Sequence, residues 1–145
     1  MRLEIVNPAT LIPHITDLLA SNWSETGFDF PFNPDVSAYE RMHELGICFA
    51  VAAIDGESVV GYCSVFVTKH PHSKDILIAG NDALFISQNH RNTLLAGRII
   101  KEAEKEAKRR GANRFIWHCR WGTPLANTFK DHGYSPIDET VMKGL

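Results

Sequence analysis

The sequence predicts an α/β fold, a mixed sheet with helices on its faces, formed by one domain over residues 1–145. Three observations carry that expectation. Two apolar runs, ICFAVAAI and SVVGYCSVFV, meet across Asp55-Gly56, a dipeptide that accepts the positive φ angles of a tight hairpin turn. A third run, DILIAGNDALFIS, is followed by an amphipathic stretch from Thr93 to Arg110, so strand passes into helix. The 145-residue length allows about 70% of the unfolded surface to be buried, enough for a core without disulfides or metal.

Taken in order, residues 1–7 place Leu3 and Ile5 between polar neighbours as a short strand. Leu11, Ile12, Ile15, Leu18 and Leu19 keep a helical period, which predicts a helix near 9–21. The stretch 21–35, SNWSETGFDFPFNPD, holds glycine, prolines and aromatics without period and reads as a loop. Asn33-Pro34 offers the start of a second helix, marked by Val36, Tyr39, Met42, His43 and Leu45 and stopped by Gly46. The hairpin follows, then strand 75–87, where Gly80 and Asn81 suggest a bulge. The helix from Thr93 turns Leu95, Ile99, Ala103 and Ala107 inward and ends at Gly111. RFIWHC reads as a strand, TPLANTFKDHG as a short helix, and the tail as two weak strands around Tyr134 and Val141. The expected total is a mostly antiparallel mixed sheet of about seven strands flanked by about four helices.

Composition narrows the function. A formal net charge of -2, from 15 basic and 17 acidic residues, gives no reason to expect nucleic acid or a membrane surface as a partner. The dense run KEAEKEAKRR alternates signs at helical spacing and reads as a solvated helix face. No signal-peptide pattern opens the chain, and Cys48, Cys63 and Cys119 are odd in number and sit in or beside apolar runs. A reducing, cytoplasmic setting is the expectation. His70-Pro71-His72, with His90, raises a metal hydrolase as a remote reading, but no acidic or cysteine ligand set accompanies them and no metal is expected.

The stretch SQNHRNTLLAGRI, 87–99, carries the chemistry. At a strand-to-helix turn the first helical N–H groups lack partners, and the positive end of the helix dipole faces the same space. Backbone donors do the holding, so Asn92, Thr93 and Leu94 can cradle phosphate without glycine. Arg91 and Arg98 add positive charge, and Thr93 can cap the helix or reach an oxygen. A helix start beside an arginine is also common in purely structural settings.

ISQNHRNTLLAGRII resembles the acyl-CoA signature of the GNAT N-acetyltransferases, (Gln/Arg)-x-x-Gly-x-(Gly/Ala). Arg91 takes the leading position, Leu94 the glycine and Ala96 the final Gly/Ala; Asn92 and Leu94 stand where glycine is usual. DGESVVGY resembles the family's central hairpin, FKDHGY the end of its last helix, and the order of elements matches over nearly the whole chain. The resemblance implies the GNAT fold and an acetyl-CoA-dependent transfer of acetyl to a primary amine, on a small molecule or a protein, by direct attack in a ternary complex. A homodimer is among the assemblies it allows. It implies that Leu84, Phe85 and Ile86 meet the pantetheine arm through their backbone, and that Arg91, Asn92, Thr93, Leu94, Leu95, Ala96 and Arg98 hold the diphosphate.

The family's catalytic side chains are not all present. The glutamate many members place on the fourth strand falls on Gly80, so Asp82 is the nearest candidate base, with a surface or bulge carboxylate as the alternative. The tyrosine often used as acid falls on Phe129, which cannot donate a proton. Tyr134 and His118 are the remaining candidates, Tyr134 also suiting a packing role. Cys119 is a weaker one, because direct transfer needs no nucleophile. Trp23, Glu25, Phe28 and Phe30, with Phe32 and Asp29, fall where the family's first helices wall the acceptor pocket, though the rings could equally complete the core. The rival expectation, favoured by the missing glutamate and tyrosine, is a catalytically silent GNAT-fold module that binds CoA or another protein.

Overall fold

A computed structural model describes residues 1–145. The chain runs through β1 (Arg2–Val6), α1 (Pro8–Leu11), α2 (Thr16–Thr26), α3 (Val36–Glu44), β2 (Cys48–Asp55), β3 (Ser58–His70), β4 (Ser73–Ile86), α4 (Leu95–Arg109), β5 (Arg114–Ile116) and α5 (Pro124–Asp131). The strands form one five-stranded sheet in the order β1-β2-β3-β4-β5, antiparallel except for the parallel pair β4/β5. The α/β class therefore holds.

Alternation along β2 divides the interior. Phe49, Val51 and Ala53 face α4, where they meet Val65, Ala79, Ile99 and Ala103. Ala50, Ala52 and Ile54 face the other way, onto Leu11, Ile15 and Leu19 of the N-terminal helices, joined by Tyr62 and Phe85. Both faces are covered, which is why β2 reads as an unbroken apolar run rather than an alternating one. Phe49 and Ile99 are wholly buried, each contributing about 2–3 kcal/mol of apolar burial.

Several expectations are corrected. The sheet has five strands, not seven: no strand forms after α5, where Pro136, Asp138, Glu139 and Gly144 break up the few apolar residues. The first helix is interrupted, because Pro13 has no N–H to donate, and a tight helical turn over Ile12–His14 intervenes before α2. α2 then continues to Thr26 and ends on Gly27 at φ +74°, so Trp23 and Glu25 belong to a helix rather than a loop. Asp35, not Asn33, caps α3, its carboxylate accepting the Ala38 N–H at 2.9 Å. The β4 bulge falls one residue beyond the expected pair: Val65 is opposite Asn81 and Ser64 opposite Ala83, leaving Asp82 as the extra residue.

Candidate functional site: the parting of β4 and β5

β4 and β5 pair only through Ile78–Arg114, Ala79–Phe115 and Gly80–Ile116. One residue further on, the Asn81 side chain replaces the ladder. Its Oδ1 accepts the His118 N–H at 2.6 Å and its Nδ2 donates to the His118 carbonyl at 3.0 Å. A carboxamide is longer than a direct backbone bond, so it satisfies the buried edge of His118 while holding the strands apart. RFIWHC consequently pairs for only three residues. Beyond the wedge, Leu84, Phe85 and Ile86 are paired with β3 on one edge and have no strand on the other.

The turn that follows β4 answers the question its sequence raises. Asn92 has φ +59°, the left-handed conformation that usually calls for glycine and that asparagine tolerates better than other residues. It is the chain's one non-glycine residue with positive φ. Leu94 needs no such freedom: it has φ -72° and its side chain is 86% exposed. Thr93 accepts the Leu95 N–H at 3.2 Å and donates to the His90 carbonyl at 2.9 Å, closing the start of α4. The N–H groups of Asn92, Thr93, Leu94, Ala96 and Gly97 have no acceptor in the chain. Arg98, in the first turn of α4, forms no ion pair. This is a concentration of free donors at the positive end of a long helix, an arrangement that favours anions.

Arg91 does not add its charge there. Its Nε donates to the Ile86 carbonyl at 2.8 Å, its Nη2 to Glu25 Oε1 at 2.8 Å, and its guanidinium lies 5.0 Å from the Phe85 ring centre. Glu25 is thereby committed to cations, since Arg120 Nη1 also reaches its Oε2 at 3.3 Å. Arg120 Nη2 donates to the Asn22 carbonyl and side-chain oxygen, and Asn22 Nδ2 donates to the Tyr62 hydroxyl at 2.7 Å. Burial pushes the Tyr62 hydroxyl up to about 12, so it stays protonated.

Asp82 stands on the same sheet face as these groups. The bulge turns its carboxylate toward α3, where Oδ2 accepts from the Tyr39 hydroxyl at 2.6 Å and from the Ser64 hydroxyl at 3.1 Å. Oδ1 makes no hydrogen bond. Burial first, and the bond to Asp82 second, push the Tyr39 hydroxyl well above the ordinary phenol range. His118 is exposed, and its Nε2 lies 3.8 Å from the place a Cβ on Gly80 would occupy, where the resemblance puts a glutamate. The Gly80 position thus has an imidazole beside it.

Tyr134 lies on the opposite face. Its hydroxyl donates to Glu104 Oε1 of α4 at 2.6 Å, the same oxygen that takes the Trp117 indole at 3.0 Å. Burial, then that bond, pushes its hydroxyl up to about 12. Its ring meets Phe129 edge-on at 4.8 Å, in a row with Trp117 and Phe115. The packing alternative describes this geometry. Burial likewise raises the Cys119 thiol, which makes no hydrogen bond.

Phe28 and Phe30 stack on each other at 5.0 Å, and Trp23 meets Phe28 tilted at 5.2 Å and Phe30 edge-on at 5.4 Å, with Phe32 alongside. Phe28, Phe30 and Phe32 are 42%, 49% and 39% exposed and join neither core cluster, so the rings form a patch above the core instead of completing it. His70 and His72 face each other in the β3–β4 turn, while His90 contacts Ser87 at 2.8 Å and Asp55 at 3.6 Å. The three histidines do not converge.

Residues 12–134, which include the open strand pair and the helix start with free amides, match the acetyltransferase (GNAT) family. The chain belongs to that family. Its family is one of acetyltransferases, with the acceptor open. The GNAT fold is shared with a ribosomal-protein-alanine N-acetyltransferase from Brucella melitensis biovar Abortus 2308, at 14% identity and TM-score 0.72, covering 100% of this chain and 99% of that one. It is shared with an aminoglycoside acetyltransferase from an uncultured soil metagenomic sample in complex with sisomicin, at 14% identity and TM-score 0.73, covering 99% and 93%. An acetyltransferase of Trypanosoma brucei aligns at 11% identity and TM-score 0.73, covering 99% and 100%. No curated protein matches the sequence. No helix is long and apolar enough to cross a membrane.

Proposed function

We propose that this chain transfers acetyl from acetyl-CoA to a primary amine by direct attack within a ternary complex. One observation carries the reading: the free N–H groups of Asn92, Thr93, Leu94, Ala96 and Gly97 lie at the end of a strand whose outer edge is unpaired. The amides suit a diphosphate, Arg98 adds charge, and the backbone of Leu84, Phe85 and Ile86 is available to an extended pantetheine arm. When bound, acetyl-CoA supplies an acyl group already activated as a thioester.

The acceptor approaches from the face of α2 and α3. An ammonium must lose a proton before it can attack, and Asp82 Oδ1, the carboxylate oxygen left free by Tyr39 and Ser64, can take it. Those two hydroxyls fix the carboxylate's orientation. His118, exposed beside Gly80, offers a second route for protons. Tyr134, committed to Glu104 on the far face, is given no role in the transfer. Alignment of the two reactants supplies much of the rate, which lowers the demand on any one side chain.

The test is release of free CoA, followed with a thiol reagent, in the presence of acetyl-CoA and a panel of primary amines. Amine-dependent release is expected. Acetyl-CoA binding by calorimetry with no release for any amine would instead establish the silent CoA-binding module, which Gly80 and Phe129 favour by lacking proton-transfer groups.

A further inference from the structure

Beside the strand parting, two guanidinium groups share one carboxylate. Arg91, from the turn after β4, and Arg120, from the loop after β5, come from opposite sides of the strand parting and meet on the single carboxylate of Glu25, at 2.8 and 3.3 Å. Their other partners are neutral: the Ile86 carbonyl for Arg91, and the Asn22 carbonyl and side-chain oxygen for Arg120. Arg91 Nη1 and Arg120 Nε have no acceptor in the chain. The Arg91, Arg120 and Glu25 side chains are 36%, 37% and 33% exposed, open enough to be reached and closed enough for the surplus charge to be felt.

This pair has a fixed relation to Asp82. Arg120 is bonded to Asn22 and Asn22 to the Tyr62 hydroxyl, while Asp82 is bonded to the Ser64 hydroxyl. Tyr62 and Ser64 are two residues apart on β3, so their side chains share one face, with a separation of roughly 7 Å along the strand. A carboxylate therefore stands at one level of the sheet and an under-neutralised guanidinium pair at the next.

We infer that the acceptor is a primary amine bearing an anionic group, a carboxylate or a phosphate, at the far end of a short chain. The ammonium goes to Asp82 and the anion to Arg91 and Arg120. The inference rests on the acetyltransferase reading and adds the substrate class to it. Polycationic amines, such as polyamines, meet repulsion at the arginine pair.

The experiment compares kcat/KM at saturating acetyl-CoA for a length-matched set: ε-aminocaproate, aminopentyl phosphate, hexylamine and hexamethylenediamine. A preference of about tenfold for an anionic tail over hexylamine is expected, the size of one charge-assisted hydrogen bond. The two anions report whether carboxylate or phosphate fits better. In Arg120→Gln the preference shrinks toward one, and in Glu25→Gln, which frees both arginines, it grows. If Arg120→Gln does not fold, as judged by its melting curve, Glu25→Gln decides. Turnover with hexylamine or hexamethylenediamine equal to that of the anionic amines overturns the inference and leaves the acetyltransferase intact. So does an Arg120→Gln variant that keeps the preference but loses acetyl-CoA affinity in calorimetry, which assigns the pair to the coenzyme. Absence of turnover for every amine removes both readings together.

Discussion

Replacing Asn92 tests directly whether backbone geometry, rather than glycine, makes the coenzyme turn. At φ +59° an ordinary L residue is strained by about 1–2 kcal/mol, glycine by almost nothing, and a β-branched residue by the upper end of that range or more. The Asn92 side chain is exposed and makes no hydrogen bond, so substitution reads the backbone alone. The turn can relax without unfolding α4, so the strain falls on binding, which must restore the turn, and melting temperatures shift by only about 2 °C. At 1.4 kcal/mol per decade, calorimetry should give an acetyl-CoA Kd about fivefold weaker for Asn92→Ala and about thirtyfold weaker for Asn92→Val. Asn92→Gly should bind within about threefold of wild type, since relief of strain is offset by the added freedom of the unbound turn. Wild-type affinity in Asn92→Val would refute the placement of these amides on the coenzyme. A loss in Asn92→Gly as large as in Asn92→Val would show that the carboxamide itself is the ligand.

Asp82→Asn should lower kcat by about a hundredfold near neutral pH, with the deficit narrowing as pH rises toward the amine's own value near 10.4, where the acceptor no longer needs a base. A rate profile that matches wild type throughout would remove Asp82 from the proton path. Glu106 makes a separate, structural prediction: it is 7% exposed and takes Arg109 at 2.6 Å and Arg110 at 2.8 Å. The Arg109 hydrogen bond chiefly, then Arg110, hold its carboxyl down to about 2 against an ordinary 4.5. A depressed folded-state value stabilises above the ordinary one and is lost as acid approaches the folded one, so the contribution is complete above pH 4.5 and fades toward pH 2. The ceiling is about 3 kcal/mol, reduced to about 1–2 because Arg109 is 69% exposed. Urea unfolding of wild type and Glu106→Gln should differ by that amount at pH 7 and converge near pH 2. A gap that ignores pH contradicts the ion-pair account.

What the sequence discloses is what local chemistry decides. Asp55-Gly56 announces the hairpin because the turn itself needs those residues, and the spacing of Leu95, Ile99, Ala103 and Ala107 announces α4 because one face must be apolar. The free amides after β4 are legible for the same reason, being a property of any helix start. The side chains around the candidate site are set by contacts far apart in the chain: Tyr39 with Asp82 across 43 residues and Arg120 with Glu25 across 95. No period or spacing encodes them. Asn81 is an intermediate case. It could be read as a bulge signal in its own strand, whereas its wedge function depends on where β5 lies.

Arg91 shows how the two kinds of information divide. By position it leads the motif, yet its guanidinium bonds Glu25 and lies over Phe85, while the amides just after it have no acceptor in the chain. On the proposed reading the turn serves both reactants, because backbone and side chain leave it in different directions. If backbone groups hold the coenzyme, its affinity depends on φ and ψ and tolerates many side chains, which explains how Leu94 can stand where glycine is usual. Side chains of α2 and of the loop after β5 then set acceptor choice. Exchanging Glu25 or Arg120 should therefore change which amine is taken and leave the grip on the diphosphate as it was, whereas straining Asn92 should do the reverse.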